Sequence, residues 1–285
     1  MTYESLLKYA YQKAYEHHKE KEAVKLLLME FSKQDPNAFY LNLKNEVLEE
    51  TKDIFMKALD QYVIHHVPVQ HLIGHAYFFG YAFDVNADVL IPRGETEQLV
   101  EKVLSYYDRY FNFENVDVLD LGTGSGCIGI SLALEEKNMN VTLSDISTKA
   151  LNVAQKNKEK LNVKVTLVLS DLYESIHKQF NIIVSNPPYI PNNEHVEDIV
   201  MKEPEVALYG GLLGVDFYEK ILKNAKSFLK PKALIAFEHG YQQKALIHQL
   251  AAKYFKDAII VQQKDLAGKD RFTFIGIGGV LNEER

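Results

Sequence analysis

Apolar residues in the first quarter of the chain fall on helical spacing. Leu6, Leu7, Ala10 and Ala14 share one face, and Val24, Leu27, Leu28 and Phe31 repeat the pattern. Asp35-Pro36-Asn37 reads as a break, and a third helix is predicted from Glu46 to His66, with Ile54, Ala58 and Tyr62 aligned. Between Pro68 and Pro92 the texture turns aromatic and β-branched around Gly80, which predicts a hairpin. The hairpin leads into Ile91-Pro92-Arg93-Gly94-Glu95-Thr96-Glu97, the start of another helix. Gly94 or Thr96 suits its cap, and two glutamates stand near its positive end. From Val116 onward short apolar runs alternate with helical stretches. Strands are predicted at 116–121, 140–145, 164–169, 180–185, 233–238, 258–264 and 271–277, with helices near 126–136, 148–161, 217–229 and 241–255. That alternation marks an α/β fold, a parallel sheet covered by helices on both faces. The expected division is a helical domain over 1–74, a β-hairpin linker over 75–94 and the α/β domain over 95–285.

Composition narrows the partners more than the fold. A chain of 285 residues can bury a full core. Its net charge of −7 tilts against a polynucleotide partner, which usually leaves a basic footprint. Cys127 is the single cysteine, which excludes an intrachain disulfide and a cysteine-based zinc site and fits a reducing compartment. No signal-peptide pattern opens the chain, and no apolar run reaches the roughly 18 residues of a membrane span. A cytoplasmic, monomeric protein with no membrane partner is expected. His17-His18 and His65-His66 are adjacent pairs that point to different sides of a helix, so they read as solvated surface rather than metal ligands.

Chemistry concentrates at the ends of the predicted strands. Asp120-Leu121-Gly122-Thr123-Gly124-Ser125-Gly126 follows the first strand of the α/β domain and opens a helix. Its glycines permit a tight turn and close backbone approach to a ligand, at a helix start rich in free N–H groups. Gly124-x-Gly126-x-x-Gly129 also matches the dinucleotide fingerprint, so the loop alone leaves NAD(P) and S-adenosylmethionine open. Its neighbours decide for S-adenosylmethionine. Asp120 would repel a pyrophosphate but attract a cationic amino-acid cofactor. Asp145 ends the next strand, where a ribose diol is held. Asp171 and Leu172 end the third, placed for adenine. Asn186-Pro187-Pro188-Tyr189 then ends the fourth strand, a requirement of no hydride-transfer site. The two prolines fix φ and remove N–H donors. The Asn186 amide oxygen and the proline carbonyls are thus left as acceptors for a planar –NH₂ group, with Tyr189 available to pack on its face.

Glycine loop, acidic second strand, Asp-containing third strand and Asn-Pro-Pro-Tyr follow the order of class I methyltransferases. The segments Pro68-Val-Gln-His-Leu-Ile-Gly74, Leu90-Ile-Pro-Arg-Gly-Glu-Thr-Glu97, Glu203-Pro-Glu-Val-Ala-Leu-Tyr-Gly-Gly211 and Lys264-Asp-Leu-Ala-Gly-Lys-Asp-Arg-Phe272 narrow the likeness. With them the chain resembles the release factor glutamine methyltransferase family over nearly its whole length. That resemblance implies a Rossmann-like methyltransferase domain behind a helical substrate-docking domain and a linking hairpin. It implies transfer of a methyl group from S-adenosyl-L-methionine, with S-adenosyl-L-homocysteine as product, to N5 of the glutamine in the Gly-Gly-Gln motif of peptide chain release factors. Cofactor contacts are implied at Gly122, Thr123, Gly124, Ser125, Gly126, Asp145, Leu172 and Asn186, and glutamine contacts from Asn186 to Tyr189, with Asn186, Pro187 and Tyr189 catalytic. The chain departs from the family at Leu172, where an aromatic is frequent, and at Gly94 and His239. An adenine-N6 or guanine-N2 nucleic-acid methyltransferase is the competing reading, and a non-enzymatic scaffold the third.

Overall fold

The computed structural model describes residues 1–284, in two units. One unit comprises Met1–His75 with Val196–Lys202. Its helices are α1 (Tyr3–Glu16), α2 (Lys21–Phe31), α3 (Pro36–Leu41), α4 (Glu49–Val63) and α5 (Val69–Ile73). Leu6, Ala10, Ala14, Val24, Leu27 and Leu28 are fully buried in its core as their spacing predicts. On α4, by contrast, the inward face is Phe55, Ala58, Leu59 and Tyr62, and Ile54, expected on that face, is exposed. Asp35-Pro36-Asn37, expected to be only a break, starts α3 instead. The Asp35 side chain accepts from the Ala38 N–H at 2.9 Å, and Pro36 sits in the first turn, where its missing N–H costs nothing. Ile199 packs on this core, and His66 lies 3.7 Å from Asp198. His17, His18 and His65 are exposed, as expected of solvated positions.

The second unit comprises Ala76–His195 and the residues from Glu203 on. The hairpin pairs β1 (His75–Phe78) with β2 (Tyr81–Asp84), and α6 (Gly94–Phe111) follows. Then come β3 (Val116–Leu121), α7 (Cys127–Glu135), β4 (Met139–Asp145), α8 (Thr148–Lys160), β5 (Thr166–Leu169), β6 (Phe180–Ser185), α9 (Asp216–Ala225), β7 (Leu229–Glu238), α10 (Lys244–Tyr254), β8 (Ile259–Lys264) and β9 (Asp270–Ile277). The seven main strands lie in the order β5-β4-β3-β6-β7-β9-β8, with β9 antiparallel to both its neighbours. Neighbouring residues of one strand serve opposite cores. Val116 and Val118 face α6 and α7, while Leu119 and Leu121 pack with Ile221, Leu222 and Ile247 of α9 and α10. Such two-sided burial explains why these strands read as unbroken apolar runs. β7 starts at Leu229, earlier than expected, because Leu229 pairs with Phe180 ahead of a bulge.

Strand order reverses at β3, whose neighbours are β4 and β6. Open α/β sheets bind ligands outside the carboxyl ends of their strands at such a switch point. Here that point brings the glycine loop beside Asn186-Pro187-Pro188-Tyr189. Asp120 pairs with Val184, and the Ser185 hydroxyl donates to the Leu121 carbonyl at 2.6 Å.

Candidate active site

The glycine loop turns on residues with positive φ: Gly122 (71°), Gly124 (56°) and Gly126 (84°). Open space surrounds the place a Cβ would take at Gly122 and Gly124, so conformation rather than crowding demands glycine there. The loop is pinned from β4. Gly122 and Thr123 donate to the Ser144 carbonyl at 2.8 and 3.0 Å, and Gly124 donates to Asp145 Oδ2 at 2.9 Å. Asp145 Oδ1 accepts from the Ser147 N–H at 2.9 Å. Burial raises the Asp145 pKa, opposed by the N–H groups of Ser147, Gly124 and Ile146. Each oxygen keeps a lone pair for a hydroxyl donor.

Asp120 departs from its expected cofactor contact. It is fully buried and does not line the cavity. Its Oδ2 accepts from Thr123 Oγ1 at 2.6 Å and from the Gly129 N–H at 3.0 Å, and burial pushes its pKa up to about 6. It therefore braces the loop against α7. A Cβ on Gly129 would overlap Leu143 and stand 3.0 Å from Asp120, so this third glycine serves helix–strand packing.

A cavity of about 340 Å³ opens beside the loop. Gly122 to Ser125, Asp145, Asp171, Leu172 and Asn186 to Pro188 all line it, so most of the expected site residues converge. Gly126 and Tyr189 do not line it. Leu172 adopts φ 47°, held by the Ser170 hydroxyl, which donates to its carbonyl at 3.0 Å. The lining fits a nucleoside-bearing cofactor: a glycine backbone open to close approach, the carboxylates of Asp88, Asp145 and Asp171, and apolar surface from Ile146, Ala150 and Leu172.

Several residues that sequence reasoning passed over hold this wall in place. Thr96 is not the cap of α6, which is Arg93; it is buried, and its Oγ1 accepts from Asn186 Nδ2 at 3.3 Å. Glu238, at the end of β7, is buried, and its Oε2 has no hydrogen-bond partner among the described residues. Burial pushes the pKa of Glu238 up to about 7. Buried Glu203 accepts from the Ile91 N–H at 2.8 Å and pairs with Arg93, which fixes the segment leading into α6. The ends of β6 and β7 are adjacent, a signal that could have drawn attention to Glu238.

Among the described residues no helix is long and apolar enough to cross a membrane, and no group of three or more His, Cys, Asp or Glu could hold a metal. The Methyltransferase small domain family matches residues 99–213, and the PrmC N-terminal domain family matches residues 5–74. The chain is 37% identical to the release factor glutamine methyltransferase of Bacillus cereus, over 96% of this chain and 98% of that protein. It is 38% identical to the Bacillus subtilis release factor glutamine methyltransferase, over 93% and 94% respectively. A methyltransferase from Pyrococcus furiosus shares the fold, with a TM-score of 0.52 at 18% identity, covering 82% of this chain and all of that one. With family models matching residues 5–74 and 99–213 and relatives aligned over nearly their whole length, the chain belongs to the release factor glutamine methyltransferase family, on a class I methyltransferase fold.

Proposed function

We propose that this protein transfers a methyl group from S-adenosyl-L-methionine to the side-chain amide nitrogen of the glutamine in the Gly-Gly-Gln motif of peptide chain release factors. One observation carries the reading. Asn186 lines the same cavity as the glycine loop, Asp145 and Leu172, with its amide nitrogen engaged by Thr96. That leaves the amide oxygen to accept a substrate –NH₂.

When bound, the cofactor supplies an electrophilic methyl group on a positively charged sulfur. The glycine loop and the Asp145 carboxylate would hold its amino-acid and ribose parts, and Asp171 and Leu172 its adenine. An amide nitrogen is a weak nucleophile because its lone pair is delocalised into the carbonyl, and its proton becomes acidic only as the new bond forms. The site therefore acts chiefly by positioning, which needs the nitrogen about 3–3.5 Å from the methyl carbon and in line. Asn186 Oδ1 and the Pro187 carbonyl accept from the –NH₂, and Pro188 walls the slot. Tyr189 contributes its fixed backbone more than its ring. The helical unit supplies a second docking surface, because an isolated loop loses too much entropy on ordering to bind tightly alone. A cytoplasmic, monomeric enzyme fits this role.

Labelled-methyl transfer to release factor, set against DNA and ribosomal RNA, tests the reading. Label in release factor supports it. Label in nucleic acid alone contradicts it.

A further inference from the structure

We propose that Gly210 is a positioning residue for methyl transfer, setting through Pro188 where the acceptors of Asn186-Pro187-Pro188-Tyr189 stand against the cavity. The role rests on the amide-methylation reading and adds to it a residue outside the cavity lining. Pro187 and Pro188 carry no N–H, so this turn has few donors of its own with which to hold its place. The segment from Glu203 to Gly214 supplies the hold. Ile190 donates to the Leu208 carbonyl and Gly210 to the Ile190 carbonyl, both at 2.9 Å, around a parallel bridge of Ile190 with Tyr209. Asn192 adds a bond to the Gly211 carbonyl at 2.9 Å, and Asp216, at the start of α9, donates to the Gly210 carbonyl at 3.1 Å. Earlier in the same segment Pro204, Val206 and Ala207 line the cavity. One stretch of backbone therefore forms part of the cavity wall and carries the turn that follows the prolines.

Gly210 is where the two backbones touch. A Cβ there would stand 2.3 Å from the Pro188 carbonyl oxygen, 2.9 Å from Tyr189 Cα and 3.0 Å from the Pro188 carbonyl carbon. All three are backbone atoms, so no side-chain rotation relieves the overlap. The φ of Gly210 is not positive, so contact rather than conformation demands glycine there. Ordinary van der Waals contact begins at 3.4 Å, so a methyl group at this position has to move the Pro188 carbonyl, or the segment itself, by about 1 Å. A displacement of that size at a positioned acceptor costs about 100-fold in rate.

Gly210→Ala should lower kcat on release factor by about 100-fold, with KM for the intact factor and affinity for S-adenosyl-L-methionine close to wild type. Gly276→Ala is the control for lost stability alone. Its Cβ would stand 2.2 Å from the Val280 carbonyl oxygen, again backbone, and Gly276 lies on β9 outside the cavity lining. It should lower the thermal midpoint, as Gly210→Ala does, and keep kcat. A Gly210→Ala kcat equal to wild type, or a Gly276→Ala loss as large as that of Gly210→Ala, overturns the proposal. Where Gly210→Ala does not fold, Asn192→Pro takes its place, removing one bond of the hold from an exposed position. Its kcat should fall by about 3- to 10-fold, and a kcat equal to wild type overturns the proposal. Amide hydrogen exchange needs no acceptor substrate. Slow exchange at Ile190 in the wild type, faster in Gly210→Ala while the Gly122 amide is unchanged, supports the hold. A wild-type Ile190 amide exchanging at the unprotected rate overturns it, whatever the substrate proves to be. Release factor methylated equally fast by the wild type and Gly210→Ala would sink the positioning role while leaving the reaction standing.

Discussion

Gln243 Nε2 donates to the Tyr189 carbonyl at 2.6 Å, tying the residue after the proline pair to the turn before α10. The same nitrogen reaches the carbonyls of Leu213 and Gly214 at 3.2 Å, while Oε1 accepts from the Gly240 N–H at 2.9 Å. Gln243 is buried, so these backbone groups have little water to replace it. Gln243→Ala should cost about 1–3 kcal/mol in unfolding free energy, the usual penalty for orphaned buried polar groups. Loss of kcat with cofactor affinity kept should accompany it. Denaturant melts and titration calorimetry check both, and unchanged stability contradicts the clamp.

Asp145→Ala removes charge-assisted acceptors for a ribose diol, worth roughly 1.5–3 kcal/mol or about 10- to 150-fold in affinity. It also releases the Gly124 and Ser147 N–H groups, so the loss should reach the upper part of that range. Calorimetry with S-adenosyl-L-methionine measures it. Affinity equal to wild type would remove Asp145 from the cofactor site.

Gly129→Ala places a methyl group into Leu143 and against Asp120, and overpacking of this kind costs about 1–3 kcal/mol. Its thermal midpoint should fall. A midpoint matching wild type would show that α7 can shift away from β4 at no cost.

The stability of Glu238→Gln should depend on pH in a defined direction. A carboxyl whose folded pKa is raised binds its proton more tightly in the folded state, so it stabilises at low pH and that stability is lost as pH rises. At about pH 4 the wild type and the glutamine variant should differ little on this account. Above about pH 7 the variant should be relatively more stable by up to roughly 3 kcal/mol, from a rise of 4.5 to about 7. Chemical denaturation at several pH values checks it. A gap that shrinks as pH rises contradicts the burial of an ionising Glu238.

In the helical unit, Leu41 and Leu48 are 85% and 72% exposed, unusual for leucines of a small core. Replacing both with Ser should raise KM for intact release factor and leave turnover of a short Gly-Gly-Gln peptide unchanged. Equal effects on the two acceptors contradict docking by this surface.

What the sequence made legible was local. A strand, three glycines and a helix within a dozen residues identify the loop. Asp145, Leu172 and Asn186 each end an apolar run, so their place at the sheet's carboxyl edge follows from the strands alone. The support behind them was not legible, because it joins positions far apart in the chain. Thr96 meets Asn186 from α6, Glu203 reaches back to Ile91, and Gln243 holds Tyr189. Asp120 and Tyr189 were misleading for the opposite reason. Their neighbours line the cavity but they themselves do not, and only packing decides that. Asp35-Pro36 carried a start signal that the adjacent Asn37 made look like a turn.

Mass spectrometry of intact release factor after incubation with this protein and S-adenosyl-L-methionine tests the central claim most directly. One added methyl group, localised by fragmentation to the glutamine side chain of the Gly-Gly-Gln motif and lost with Asn186→Ala, is the predicted result. Release factor left unmodified by a preparation that binds the cofactor, or a methyl group on any other residue, would contradict it.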